Sequence, residues 1–204
     1  MPEADNSKEL SDKSQFQNTV RTGQGPHFSR RVPDGDDRDR LVCDDCGHIS
    51  YENPKIVVGA VCTWQGKVLI AKRDIPPRRG YWTIPAGYME LGETASAGAA
   101  REVLEEACAE IKITDLLAIY ELPHISQVHM IYRGEMLSGD HAPGLESQET
   151  RLVNPKDIPW EGLAYPSVHW ALQQFLDARE TPSPLVPFGN GPEIPGFKQS
   201  LRSD

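Results

Sequence analysis

Positive charge is scarce in this chain. Lys and Arg number 21 against 30 Asp and Glu, for a net charge of −9. A general nucleic-acid binder or an anionic-membrane binder needs a basic patch, so neither is expected. Long apolar runs are missing too: no stretch approaches the roughly eighteen residues of a transmembrane helix. The first twenty residues are polar, without a basic start and an apolar core, so no signal peptide is expected. Cysteine is limited to Cys43, Cys46, Cys62 and Cys108, too few and too scattered for a disulfide framework. The expected setting is a reducing cytoplasm.

What the chain does have is a concentration of carboxylates. Gly87-Tyr88-Met89-Glu90-Leu91-Gly92-Glu93-Thr94 is a glycine-bearing loop, and it leads through Arg101-Glu102-Val103-Leu104-Glu105-Glu106 to Cys108. Thr94 is a suitable N-cap, because its hydroxyl can accept from an amide of the first turn. From there to Ala107 the residues favour helix, Gly98 excepted. At helical spacing Ala100, Val103, Leu104 and Ala107 share one face, and Glu102, Glu105 and Glu106 fall roughly opposite. Like charges at i,i+4 (Glu102 and Glu106) cost about 0.2–0.5 kcal/mol. Carboxylates near a helix C-terminus also oppose its dipole. A divalent metal reverses both penalties, and hard carboxylate oxygens suit Mg²⁺ or Mn²⁺. The bland alternative is a solvated acidic face.

The spacing argues against the bland alternative. Gly87, five residues, Glu93, seven residues, Arg101-Glu102, an aliphatic residue, one more, then Glu105-Glu106 resembles the Nudix box of Nudix hydrolases. One position departs from the family pattern: Cys108 stands where Gly usually ends the helix. Cysteine there costs about 1 kcal/mol or ends the helix differently.

Around the box, Ile56 to Trp64 and Lys67 to Arg73 read as a hairpin about Gln65-Gly66, and Tyr81 to Ile84 as a short strand. Glu110 to Glu121 reads as a strand with a break near Thr114-Asp115. His124 to Leu137 and Thr150 to Val153 read as further strands. Tyr165 to Arg179 is a helix with Val168, Leu172, Phe175 and Leu176 inward. This order indicates an α/β domain with a mixed sheet. The resemblance implies a Nudix-type α/β/α sandwich over residues 54–179. Residues 1–24 read as a flexible arm, 25–53 as a small β-hairpin extension, and 180–204 as a Pro/Gly-rich tail. The extension contains Cys43-Asp44-Asp45-Cys46-Gly47-His48 and resembles the zinc ribbon that precedes some Nudix domains. A closed zinc site needs four ligands. Sliding the pattern back reaches Arg21 and Gln24, which cannot bind zinc, and leaves His27 and His48 as substitutes in principle. Zinc at Cys43 and Cys46 is therefore not expected.

The resemblance implies hydrolysis of a nucleoside diphosphate linked to another moiety, giving two phosphate-bearing products. By position, Glu102 and Glu106 would be the principal Mg²⁺ (or Mn²⁺) ligands, Glu105 would share ligation or assist the base, and a carbonyl of Ala86 or Gly87 would add a ligand. Glu93 and Arg101 would orient the loop and the carboxylates. The general base is left between Glu102, Glu105 and Glu146 of the loop Pro143-Gly144-Leu145-Glu146-Ser147. Lys72, Arg73, Arg78 and Arg79 are cations close to the box in sequence and suited to phosphate. Tyr81, Trp82 and Tyr88 can stack a base or a flavin, although strand aromatics are more often core. The wider pattern of Asn53-Pro54-Lys55, Trp82 to Tyr88 and Ala142 to Ser147 resembles enzymes acting on ADP-ribose or FAD. Pro123 is placed like a proline associated with ADP-ribose substrates, or it simply ends a strand. A nucleoside triphosphate hydrolase and a non-catalytic nucleotide-binding regulator are the alternatives. The expected partners are a small-molecule nucleotide and a second copy of the chain in a homodimer.

Overall fold

The computed structural model describes residues 26–180, so the expected arm and tail lie outside the described residues. The described residues up to Glu52 and those from Asn53 onward form two compact units.

The first unit is a three-stranded antiparallel sheet. Its strands are β1 (Phe28–Arg31), β2 (Arg40–Cys43) and β3 (Ile49–Ser50), in that order. Asp36 stabilises the turn between β1 and β2, accepting from the Asp37 amide at 2.8 Å and from Arg40 Nε at 2.8 Å. The Arg40 bond and the Asp37 amide hold the Asp36 carboxyl down at about 2. A tight turn follows β2, in which the Gly47 amide donates to the Cys43 carbonyl at 2.9 Å.

The second unit contains β4 (Lys55–Trp64), β5 (Lys67–Arg73), β6 (Trp82–Thr83), β7 (Ala86–Tyr88), α1 (Ala95–Ala107), β8 (Ile111–Leu122), β9 (Gln127–Met136), β10 (Ser147–Val153) and α2 (Pro166–Glu180). The sheet runs β10-β5-β4-β9-β8, with β6 beside β5 and β7 beside β4. It is mixed, as expected, because β4 and β9 are parallel while the other pairs are antiparallel. The expected break at Thr114-Asp115 is a register shift within the single strand β8, so pairing with β9 continues past it.

The two faces of the sheet carry separate cores. Successive residues of β4 alternate sides: Val61 joins the cluster built with Leu172 and Phe175 of α2, and Ala60 and Cys62 join the cluster with Val103 and Ala107 of α1. Val168, Leu172 and Phe175 are buried and Leu176 is partly buried, so the inward face of α2 is the one its sequence indicates.

The inward face of α1 is not. Its buried residues are Gly98, Ala99, Glu102, Val103, Glu106 and Ala107, while Leu104 is 52% exposed. The helix is rolled so that Glu102 and Glu106, an i,i+4 pair, point inward beside the apolar residues. The acidic positions are therefore split: two are buried, and the Glu105 side chain is exposed.

Candidate functional site

The site is assembled where α1, β7 and the loop before β10 meet. Thr94 caps α1 as its sequence indicates, accepting from the Ala97 amide at 3.2 Å. At the other end Cys108 adopts a left-handed conformation, with φ 47° and ψ 34°, and its amide donates to the Leu104 carbonyl. The helix ends as it would with glycine, with the cysteine bearing the strain.

Arg101 is the hub of the carboxylates. Its guanidinium donates to Glu93 Oε1 at 2.9 Å and Oε2 at 3.1 Å, to Glu102 Oε1 at 2.8 Å, to Glu105 Oε2 at 2.8 Å and to the Tyr88 carbonyl at 3.1 Å. Glu93 also accepts from the Glu90 amide at 2.7 Å, which closes the loop. The Arg101 bonds, with the Glu90 amide, hold the Glu93 carboxyl below its ordinary value. The expected orienting pair of Glu93 and Arg101 is thus in contact, and it reaches two of the expected ligands.

Glu106 is set apart from this network. It is buried and accepts from the Ala86 amide at 3.2 Å. Burial, followed by the charge of Glu102, pushes its carboxyl up to about 8. Burial also raises Glu102, against the pull of Arg101. Of these two acids only Glu102 has an ion pair, with Arg101; Glu106 is buried with a single amide donor, and for it burial and the charge of Glu102 prevail. Gly87 shapes the pocket: a Cβ there would lie 2.5 Å from either carboxylate oxygen of Glu102.

Glu146 completes the group, and its negative charge is felt at both Glu102 and Glu106. Its loop is moored on two sides. The amides of Ala142 and Gly144 donate to the Ala107 and Glu106 carbonyls at the end of α1, at 2.9 and 3.0 Å, and the Asp74 amide donates to the Glu146 carbonyl at 2.8 Å. Gly144 makes that approach possible, a role its sequence context does not announce.

The basic and aromatic residues separate by contact. Arg79 is engaged by Asp74, with Nη2–Oδ1 at 2.8 Å. Arg78 lies over Tyr81, which is 40% exposed, and Lys72 over Trp82. Trp82 is buried in the α2-side core and so offers no stacking face. Arg73 is the cation whose charge reaches Glu106. Tyr88 is half exposed, with Lys55 over its ring at 4.9 Å and its hydroxyl accepting from Gln127 Nε2 at 3.1 Å. Pro123 directly follows β8 and opens a short 3-10 turn.

The donor set at the acidic pocket fits a hard divalent cation: buried carboxylates, one raised to about 8, with a carbonyl-bearing loop beside them. Among the described residues no three acidic, His or Cys side chains are drawn together as a ready-made cage. Glu102 and Glu105 instead turn oxygens toward Arg101. In the first unit, the amides of Cys46 and Asp45 lower the buried Cys43 thiol. No helix among the described residues is long and apolar enough to cross a membrane.

A family model described as NUDIX domain matches residues 53–175, and one described as Nudix N-terminal, a zinc-ribbon family, matches 25–52. A NUDIX hydrolase from Nitrosomonas europaea of known crystal structure is 45% identical, with a TM-score of 0.78 over 82% of this chain and 96% of its own. An ADP-ribose pyrophosphatase of Methanocaldococcus jannaschii is 25% identical over 115 residues, 53% of this chain and 67% of its own length. A MutT-like protein of Streptomyces ambofaciens is 28% identical over 102 residues, 50% of this chain and 64% of its own length. The chain thus spans about two thirds of these two curated relatives.

Proposed function

We propose, given that the chain belongs to the Nudix hydrolase family, that it is a divalent-metal-dependent pyrophosphatase. Its substrate would be a nucleoside diphosphate linked to another moiety, of the ADP-ribose or FAD class, cleaved into two phosphate-bearing products. The observation that carries this reading is the buried Glu102–Glu106 pair, in which Glu106 has no ion pair among the described residues, beside Gly87, where a Cβ would press on the Glu102 carboxylate. A relative with the name ADP-ribose pyrophosphatase supports the substrate class.

In this reading Glu102 and Glu106 hold Mg²⁺ or Mn²⁺, with Glu105 and a carbonyl of Ala86 or Gly87 as further ligands. The cation supplies Lewis-acid polarisation of a phosphoryl oxygen and charge stabilisation of the departing phosphate. Arg101, anchored by Glu93, fixes Glu102 and Glu105 and the Tyr88 carbonyl. Glu146 is assigned as the base that takes the proton from attacking water. Its loop is fixed against α1 and no arginine is bonded to it among the described residues, whereas Glu102 and Glu105 are engaged by Arg101. The half-exposed ring of Tyr88 and that of Tyr81 are the stacking surfaces for a base or flavin. A cytoplasmic homodimer without nucleic-acid or membrane partners and without zinc at Cys43 and Cys46 belongs to the same proposal.

The test is phosphate-product release from ADP-ribose, FAD, NADH, diadenosine polyphosphates and nucleoside triphosphates, with and without Mg²⁺. Metal-dependent cleavage of ADP-ribose or FAD well above the rest is expected. Preference for a nucleoside triphosphate overturns the substrate class.

A further inference from the structure

Three segments meet at the carbonyl of Pro77. Arg73, the last residue of β5, donates Nε to it at 3.0 Å. Tyr165, just before α2, donates its hydroxyl to the same oxygen at 3.2 Å. The Arg73 guanidinium also lies over the Tyr165 ring, 5.4 Å from its centroid. Ring face and shared acceptor together fix the plane of the guanidinium. An unrestrained arginine must give up much side-chain entropy to gain that order whenever it binds.

The scaffold behind this contact is rigid. The Ala164 amide donates to the Trp82 carbonyl at 2.7 Å, and the Tyr165 carbonyl receives the Val168 amide at 3.1 Å, so the backbone of Tyr165 is set by the core strand and by the start of α2. The loop carrying Pro77 is closed at its base, where the Arg73 amide donates to Tyr81 and the Gly80 amide donates to Arg73. The same loop is joined to the Glu146 segment through the Asp74 amide and through Gln148 Nε2, 3.0 Å from Asp74 Oδ1.

The fixed arginine stands beside the Glu146 loop: Arg73 pairs in register with Ser147 of β10, and the next residue, Asp74, donates its amide to the Glu146 carbonyl at 2.8 Å. That loop is itself bonded to the Glu106 carbonyl through the Gly144 amide. Nε is taken by Pro77, and the terminal nitrogens have no hydrogen-bond partner among the described residues. They are the pair that can meet two phosphate oxygens at once. Arg78 and Arg79 are held by Tyr81 and Asp74 instead.

We propose that Tyr165 is a positioning residue for the substrate: its ring and hydroxyl hold the Arg73 guanidinium so that it clamps a phosphate of the diphosphate beside Glu106. This rests on the pyrophosphatase reading above and adds to it a residue outside the acidic motif.

A double-mutant cycle tests the clamp with ADP-ribose at saturating Mg²⁺, after thermal melts have established that each variant is folded. Arg73→Ala should raise KM by about ten- to hundredfold, the loss of a charge-assisted contact, with a smaller fall in kcat. Tyr165→Ala should reproduce most of that change and Tyr165→Phe, which keeps the ring, only part. Arg73→Lys should not rescue, since an ammonium lacks the planar fork. Adding Tyr165→Ala to Arg73→Ala should cost nothing further, because the tyrosine acts through the arginine. Multiplying losses, or an unchanged KM in Tyr165→Ala, overturn the proposal. Should wild type cleave none of the dinucleotides, the pyrophosphatase reading falls on its own. The same variants titrated with ADP by calorimetry then test the clamp. Weakened, non-additive binding supports it, and multiplying losses or no ADP binding by wild type overturn it.

Discussion

The Gly144 amide donates to the Glu106 carbonyl at 3.0 Å, joining the Glu146 loop to the turn of helix that bears the buried carboxylate. A Cβ at Gly144 would lie 1.7 Å from the Glu105 carbonyl oxygen, which is backbone and cannot yield without moving the loop. Gly144→Ala should therefore destabilise the fold by about 1–3 kcal/mol. It should also lower turnover at least about tenfold, because displacements of about 1 Å are felt in catalysis. Urea melts and steady-state rates check both parts, and a variant of wild-type stability and rate would contradict the mooring.

Arg101 has five hydrogen bonds to three carboxylates and one carbonyl, a load that only the guanidinium fork can carry. Arg101→Lys should reduce kcat by about a hundredfold or more, as losing preorganised electrostatics does. Combining it with Glu93→Gln should add little, since both act through one contact. Independent, multiplying losses would show that the two residues do not form a unit.

Cys108 holds a φ of 47° that glycine adopts without strain. Cys108→Gly should stabilise the protein by about 0.5–1 kcal/mol, which raises Tm by about 1–4 °C. A lower Tm would mean that the thiol contributes packing that outweighs the backbone strain.

His129 hydrogen-bonds Gln127 Oε1 through Nε2 at 2.9 Å, and burial pushes its pKa down to about 4. The folded state thus resists protonation more than the unfolded chain, whose histidine titrates near 6.5. Its contribution to stability is complete above about 6.5 and is lost as pH falls toward 4. Between pH 7.5 and 4.5 wild type should lose on the order of 1–3 kcal/mol more stability than His129→Gln. Equal losses in the two proteins would contradict the assignment.

Local pattern made much of this architecture readable. The β4–β5 hairpin, the Thr94 cap and the inward face of α2 each follow from alternation or spacing within a few residues. The roll of α1 did not follow. A rule that buries apolar residues puts Leu104 inside and Glu106 outside, whereas the site buries Glu106 and exposes Leu104. The parallel pairing of β4 with β9 joins segments that no local signal links. The cations near the box differ only through tertiary contacts: Asp74 takes Arg79, while Tyr165 and Pro77 orient Arg73. Gly144, whose place in the Pro143-to-Ser147 pattern says nothing of the helix end it meets, and Tyr165, which stands in no motif, have their roles for the same reason.

The central claim is that the buried Glu106 carboxylate holds a catalytic divalent cation. It is tested most directly by Mg²⁺-dependent turnover of ADP-ribose in wild type and Glu106→Gln. Without metal, Glu106 ionises at about 8 in the folded state but near 4.5 in the unfolded chain, so wild type loses stability as pH rises between those values and the variant does not. That comparison shows that the variant is folded. The prediction is turnover that chelation abolishes in wild type and that falls by about a thousandfold or more in Glu106→Gln. Turnover by the variant at the wild-type rate and with the wild-type Mg²⁺ dependence would contradict the claim.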